Sequence, residues 1–356
     1  MRGPGKRDWD RLVRWYRKNA RRLPWRKSRD PYPVLVSEFM LQQTRVETVL
    51  AYYEPFLARF PDLRTLARAR VGTVLAAWSG LGYYRRARFL HEAAGRIVRE
   101  HGGQVPDDPE ALRALPGIGD YTAAAVLSIA FGRPEPVLDG NVARVLARYR
   151  AVPGDPKRGR TRNRLRELAA AVLAGRNPGE TNQALMELGA AVCLPGRPDC
   201  RGCPLSGGCE ARRRGRTDSY PARAKRLRTV EILRAVAVIR RGARVLLVRR
   251  RGKSRLDGFL EFPGVDVPRG QRAPVRLARH LARTHGLAVV VEEEMGEVRH
   301  QITHHQITAR AYSARARAPV RTAGTDLAWV DPRDLDGLPI PAQTRKVARL
   351  VAGEPG

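Results

Sequence analysis

The spacing of apolar residues divides the chain into two regions of different period. Leu12, Val13, Trp15 and Tyr16 open an amphipathic segment, and Val34, Leu35, Phe39 and Met40 form another with Glu38 among them. Recurrence at three- and four-residue intervals predicts further helices over Leu63–Arg68, Val71–Trp78, Arg86–Glu100, Tyr121–Phe131, Val142–Tyr149, Thr161–Ala174 and Thr181–Cys193. Beyond the linker the period shortens. Glu231–Ile239, Ala243–Arg249, Ala288–Glu293, Glu297–Ile302 and Ile307–Ala314 are β-branched or alternating, and only Val275–Thr284 and Thr344–Ala352 read as helical. Between the regions, Arg212–Arg228 reads RRRGRTDSYPARAKRLR, with no period and a proline at 221. That is the composition of a basic linker, either a spacer or a strap along a polyanion. A chain of 356 residues exceeds what one core usually organises. The expected fold is therefore multidomain: an all-α domain over 1–211, a linker over 212–229 and an α+β domain over 230–356.

Charge narrows the partners. A net charge of +32 and a pI near 11.3 attract a polyanion, because each Lys or Arg that neutralises a phosphate releases a counterion. Arginine so outnumbers lysine that GC-biased codon drift on a solvated surface is the competing reading of part of this charge. No apolar signal segment follows Met1, and the longest apolar run, near Ala123–Phe131, is broken by Ser128, well short of the ~20 residues of a membrane span. The expectation is a soluble cytoplasmic nucleic-acid-binding protein with no membrane contact.

All four cysteines, Cys193, Cys200, Cys203 and Cys209, fall within 17 residues as C-x6-C-x2-C-x5-C. In a reducing compartment such a cluster holds metal rather than disulfides. Structural zinc usually pairs two tight knuckles, and only Cys200 and Cys203 are that close, so the uneven spacing favours an iron–sulfur cluster. A second signal is Leu115-Pro116-Gly117-Ile118-Gly119-Asp120-Tyr121. Asp108-Pro109 supplies an N-cap and first-turn proline to the leading helix, and Asp120 is expected to cap the next. Gly117 and Gly119 allow the backbone to approach a phosphate and aim N–H groups at it. The segment 108–131 is thus a candidate helix-hairpin-helix.

Together with Val137-Leu138-Asp139-Gly140-Asn141, these motifs resemble the endonuclease III superfamily of base-excision glycosylases. Val36-Ser37-Glu38-Phe39-Met40-Leu41-Gln42-Gln43-Thr44 and Gly80-Leu81-Gly82-Tyr83-Tyr84 narrow the resemblance to adenine DNA glycosylases of the MutY type. The resemblance implies a [4Fe–4S] cluster on the four cysteines. It also implies a substrate of double-stranded DNA carrying adenine opposite 8-oxoguanine or guanine.

Releasing adenine requires a proton for the leaving base and an anion beside the oxocarbenium-like sugar. Glu38, on a partly buried helix, is expected to have a raised pKa and remain available as an acid. Asp139, at the start of the helix over Asn141–Tyr149, is expected to stay ionised under the helix dipole. The resemblance implies Glu38 as general acid and later base and Asp139 as partner at the sugar, with Asn141 assisting. Relatives that also cut the backbone carry a Schiff-base lysine where this chain has Tyr121, which cannot form an imine; a monofunctional enzyme is expected, with an endonuclease III-like activity on oxidised pyrimidines as the alternative.

By the same resemblance, Arg26 and Gln183 hold the flipped adenine, and Gln42, Gln43, Thr44, Leu81 and Tyr83 fill or flank the gap left in the stack. Val245–Arg250 and Leu260–Gly264 resemble the opening of a Nudix-like module, but Gly270 stands where the first magnesium-binding glutamate would, and Arg279–Thr284 carries no acid. Nucleotide hydrolysis is not expected of it. Thr303 and His304 align with residues that read 8-oxoguanine, while Ile302 replaces an aromatic ring.

Overall fold

In the computed structural model, which describes residues 6–222, 229–252, 258–302 and 304–352, the chain gathers into two units: Met1–Arg68 with Glu92–Lys225, and Ala69–His91 with Arg226–Gly356. In chain order the helices up to the linker are α1 (Lys6–Asn19), α2 (Pro31–Leu41), α3 (Val46–Arg59), α4 (Leu63–Arg68), α5 (Val71–Ala77), α6 (Arg85–Glu100), α7 (Pro109–Arg113), α8 (Asp120–Phe131), α9 (Gly140–Tyr149), α10 (Gly159–Leu173), α11 (Pro178–Ala191) and α12 (Glu210–Arg213). Periodicity finds most of these; it misses the short α7 and α12 and, despite its length, α3. That helix carries Pro55 in its interior, normally a helix breaker, and survives by burying Val49, Tyr53 and Phe56.

In the first unit α2 and α8 are core helices rather than amphipathic ones. α2 buries Tyr32 and every residue from Val34 to Met40, and α8 buries Thr122 to Ser128. Asp30 starts α2 by accepting from Tyr32 N at 2.9 Å, ahead of Pro31. Asp108 caps α7 through Ala111 N at 2.8 Å, as expected. Asp120, however, does not cap α8. Gly119 is the N-cap, and Asp120 is the first helical residue, its carboxylate 2.7 Å from Arg162. A first-turn carboxylate still suits the helix dipole. α11 crosses α8 and α9 at two glycines: a Cβ on Gly179 would lie 2.6 Å from the Ser128 carbonyl oxygen, and one on Gly189 2.6 Å from Asn141 Cβ. Trp9, Leu12, Leu146, Leu165, Leu185 and Leu188 tie α1, α9, α10 and α11 into one core.

The basic stretch after α12 is not featureless. Arg148 donates from Nε to the carbonyls of Thr217 (2.9 Å) and Tyr220 (3.1 Å), and Ala222 N donates to Gly154 O at 3.2 Å. Residues 223–228 of the expected linker lie outside the described residues.

The second unit is built on β1 (Val230–Arg241), β2 (Arg244–Arg249), β3 (Leu260–Glu261), β4 (Gly264–Val267), β5 (Val289–Ile302), β6 (His305–Ala316) and β7 (Leu327–Val330), with α13 (Ala273–His285) and α14 (Ala342–Ala352). The sheet runs β3-β2-β1-β6-β5, with β4 on β1 and β7 on β2; β1 and β6 are parallel. Alternate residues of β1 serve opposite faces. Ala235, Ala237 and Ile239 join Leu277 and Leu281 of α13, while Val236 and Val238 join Val347 and Ala348 of α14. The two strands expected over 288–302 are one, β5, with register shifts between Val291 and Gly296, where φ is +138°. β3, β4 and β7 are too short for alternation to reveal. α13 carries no Asp or Glu.

Segment 69–91 packs within this second unit. Ser79 Oγ donates to Ile340 O at 3.1 Å, Arg345 donates to Ser79 Oγ at 3.0 Å, and the Tyr84 ring lies 4.2 Å from that of Phe259. Among the described residues no helix is long and apolar enough to cross a membrane.

Candidate active site

α2, α8, α9 and α11 line a partly open cavity of about 160 Å³ whose lining includes Arg26, Glu38, Thr44, Tyr121, Asp139, Asn141 and Gln183, brought from distant parts of the first unit. Apolar walls come from Leu23, Trp25, Val46, Ile129 and Met186. Trp25 is fixed edge-on against Tyr53 at 5.4 Å.

Glu38 is 3% exposed, deeper than partial burial predicts. Burial pushes its pKa up to about 7; the Tyr121 hydrogen bond opposes this, the Asp139 charge adds to it, and Arg26 opposes it. Its Oε2 is buried with no hydrogen-bond partner. Asp139 is the N-cap of α9: Oδ1 accepts from Val142 N at 2.6 Å and Oδ2 from Asn141 Nδ2 at 3.2 Å. The helix start supplies the N–H bonds expected to favour the ionised form, but they do not set the net shift. Burial outweighs the Val142 N–H, Arg144 and Asn141, and the net shift is upward. The two carboxyls nonetheless differ: both Asp139 oxygens accept N–H bonds, which favour the anion, while Glu38 has an oxygen with none. A single shared proton therefore resides on Glu38.

The same cavity is lined by a charged group that the sequence reading missed. Glu187, 1% exposed, accepts from Arg21 Nε at 2.8 Å and from Arg26 Nη2 at 2.8 Å. Burial alone would raise its pKa, but the Arg21 and Arg26 bonds bring it down to about 2. The Arg26 guanidinium also lies 5.4 Å from the Tyr16 ring centroid, and the Tyr16 hydroxyl donates to Gln183 Oε1 at 3.2 Å. The signal was present: Glu187 follows Gln183 by four on α11, one turn along the same face.

Other expected residues lie elsewhere. Gln42 ties the end of α2 to the hairpin, donating from Nε2 to Thr122 Oγ1 at 3.0 Å and Gly117 O at 3.4 Å. Gln43 has φ +58°. In the second unit Leu81 is 5% exposed and turned inward, while Tyr83 is 41% exposed. His304 opens the turn between β5 and β6, its ring 4.1 Å from that of His305; Thr303 lies outside the described residues.

The four thiols line a separate, small apolar cavity of about 20 Å³, walled by Val145, Leu188, Val192 and Leu205. None is in a disulfide. Among the described residues no three Cys, His, Asp or Glu side chains converge closely enough for a lone metal ion. α9 joins this cavity to the first. Arg144 donates to Asn141 Oδ1 (2.8 Å), Gly189 O (2.8 Å) and Cys193 O (2.7 Å), and Arg148 Nη1 donates to Leu194 O at 2.8 Å and Cys193 Sγ at 3.3 Å.

Residues 36–171 match the HhH-GPD superfamily base excision DNA repair protein family, and residues 235–350 match the NUDIX domain. The adenine DNA glycosylase of Homo sapiens is 36% identical over 96% of this chain and 73% of its own length. That of Buchnera aphidicola (Acyrthosiphon pisum) is 37% identical over 59% of this chain and 60% of its own. Among solved structures, a thermostable thymine-DNA glycosylase superposes with a TM-score of 0.53 at 29% identity, covering 59% of this chain and 97% of that one. A helical base-excision unit with two carboxylates in one cavity, a NUDIX match behind it and this near-complete alignment lead to one assignment: the chain belongs to the adenine DNA glycosylase family, DNA N-glycosylases of base-excision repair.

Proposed function

We propose that the protein hydrolyses the N-glycosidic bond of adenine paired with 8-oxoguanine or guanine in duplex DNA, as a monofunctional monomer acting at the bacterial nucleoid in the cytoplasm. The observation that carries this reading is the single cavity shared by Glu38, with its unpartnered Oε2, and the N–H-bonded Asp139. Glu38 in its acid form protonates the departing base, and the C1′–N9 bond breaks. Asp139 stabilises the oxocarbenium-like sugar, with Asn141 fixing its carboxylate. A water then adds to C1′ and returns its proton to Glu38. Arg26 and Gln183 orient the base, the amide matching adenine's N6/N7 edge. Tyr121 keeps Glu38 in place and offers no amine. Gln42, Gln43, Thr44, Gly117 and Gly119 engage the DNA around the gap and Tyr83 acts as the wedge, while Leu81, turned inward, supports the Tyr83 loop from beneath rather than plugging the gap. Thr303 and His304 supply a hydroxyl and an imidazole for the partner base.

The cysteine cavity fits a [4Fe–4S] cluster, since four free thiols surround an apolar space rather than a point. Cys193, Cys200, Cys203 and Cys209 would hold it, and its chemistry is to cross-link the 193–209 loop at four points. Cys200→Ser is expected to lose visible absorbance and weaken duplex binding more than base release at saturating enzyme.

The direct test is single-turnover base release from duplexes with adenine opposite 8-oxoguanine, guanine or thymine, with a thymine-glycol duplex alongside. Fast adenine loss opposite 8-oxoguanine, with strand breaks only after alkali, is expected. Nicking at thymine glycol with no adenine loss would replace this reading by an endonuclease III-like one.

A further inference from the structure

The loop Gly80-Leu81-Gly82-Tyr83 runs through backbone that L side chains rarely adopt: φ is +109° at Gly80, +72° at Gly82 and +48° at Tyr83. Glycine reaches these angles freely. For a tyrosine they are strained and persist only where neighbours impose them.

Arg86 is the neighbour that does so. From the first turn of α6 its Nη2 donates to Gly82 O at 3.0 Å and Leu81 O at 3.4 Å, and its Nε donates to Tyr83 O at 3.4 Å. The guanidinium carbon lies 5.5 Å from the ring centroids of both Trp78 and Tyr83. Trp78 Nε1 adds a bond to Gly82 O at 3.3 Å. One planar group thus binds three successive carbonyls and backs the aromatic ring, a combination available to a guanidinium and not to an ammonium. Arg86 is 6% exposed beneath the loop, whereas the Tyr83 ring is 41% exposed. Tyr84 is turned the other way, against Phe259.

We propose that Arg86 is a positioning residue that holds the 80–83 loop in its left-handed form and sets the angle at which the Tyr83 ring enters the DNA stack, without touching DNA itself. The proposal rests on the reading of Tyr83 as a wedge.

It is tested with full-length protein and a duplex carrying a non-cleavable 2′-fluoro-adenosine opposite 8-oxoguanine and 2-aminopurine beside it, whose fluorescence rises on unstacking. Tyr83→Ala is expected to lose the rise. Arg86→Gln is expected to lose it equally, with base release about tenfold slower at saturating enzyme. The double variant is expected to be no worse than Tyr83→Ala alone. Arg86→Lys, which keeps the charge, carries the test if Arg86→Gln fails to fold, and is expected to lose the rise with its unfolding midpoint near that of wild type. A rise retained in Arg86→Lys but lost in Tyr83→Ala, or additive losses in the double variant, would overturn the proposal while leaving the wedge intact. A full rise in Tyr83→Ala would remove the wedge reading and the proposal with it.

Discussion

At the residue scale, the decisive quantity is the proton on Glu38. Its folded pKa of about 7 lies above the ordinary 4.5 because the carboxyl is buried. Below pH 4.5 both folded and unfolded chains hold the proton. Above it the unfolded chain ionises first, so the stability that Glu38 contributes is lost as pH rises through 7, at a cost on the order of 3 kcal/mol. Glu38→Gln removes that cost: thermal denaturation should show the variant more stable than wild type at pH 8 and equal to it near pH 4.5. A gain of the same size at both pH values would rule out ionisation as the cause. The same substitution should leave duplex binding intact and slow base release by about 10²- to 10⁴-fold, the usual worth of a general acid. In the wild type, the single-turnover rate constant should fall as pH rises through about 7. Glu38 was legible in the sequence because a charged residue among apolar ones is conspicuous; the upward shift of Asp139 was not, since it depends on what covers the helix start.

At the element scale, helix crossings position the chemistry, and two glycines make contrasting tests. An added Cβ at Gly189 meets Asn141 at 2.6 Å, so Gly189→Ala should force α11 from α9. The expected outcome is about 1–3 kcal/mol of lost stability in denaturant titration, with slower base release. At Gly119 an added Cβ meets nothing within 4 Å and φ is −94°, so Gly119→Ala should fold as wild type. If the hairpin backbone meets a phosphate there, equilibrium binding of duplex weakens while the unfolding midpoint stays put; unchanged affinity would place the phosphate elsewhere. Arg144 is the third element-level test, because it binds Asn141, Gly189 and Cys193 at once. Arg144→Gln should slow base release more than it weakens binding, read as separate rate and affinity measurements. Periodicity found α9 and α11 but could not show that they cross at glycines, because a crossing is a relation between segments distant in sequence.

At the scale of the whole molecule, the +32 charge predicts strongly salt-dependent binding. With six to ten phosphate contacts, affinity for duplex should fall by about 10³–10⁵ between 50 and 200 mM salt; a flat profile would mean that the arginines are mostly solvated surface. The division of the chain was only partly legible. Composition marks the change from helical to strand period near residue 230, and motif spacing identifies the cysteine loop, the hairpin and both carboxylates. Those are local signals, set by what neighbouring residues do within a turn or a strand. The placement of segment 69–91 with the sheet unit, through Ser79, Tyr84, Phe259 and Ile340, has no local signal, because its partners lie more than 160 residues away. A chain ending at residue 225 would uncover that segment and should unfold at lower temperature than the full protein. The sequence by itself determined the family of chemistry, since the two carboxylates, the hairpin glycines and the four cysteines keep fixed spacings. Only the tertiary structure decided the pKa of Glu38, the Arg21–Glu187–Arg26 group and the strained Tyr83 loop, because burial and close packing arise from residues that meet only when the chain is folded.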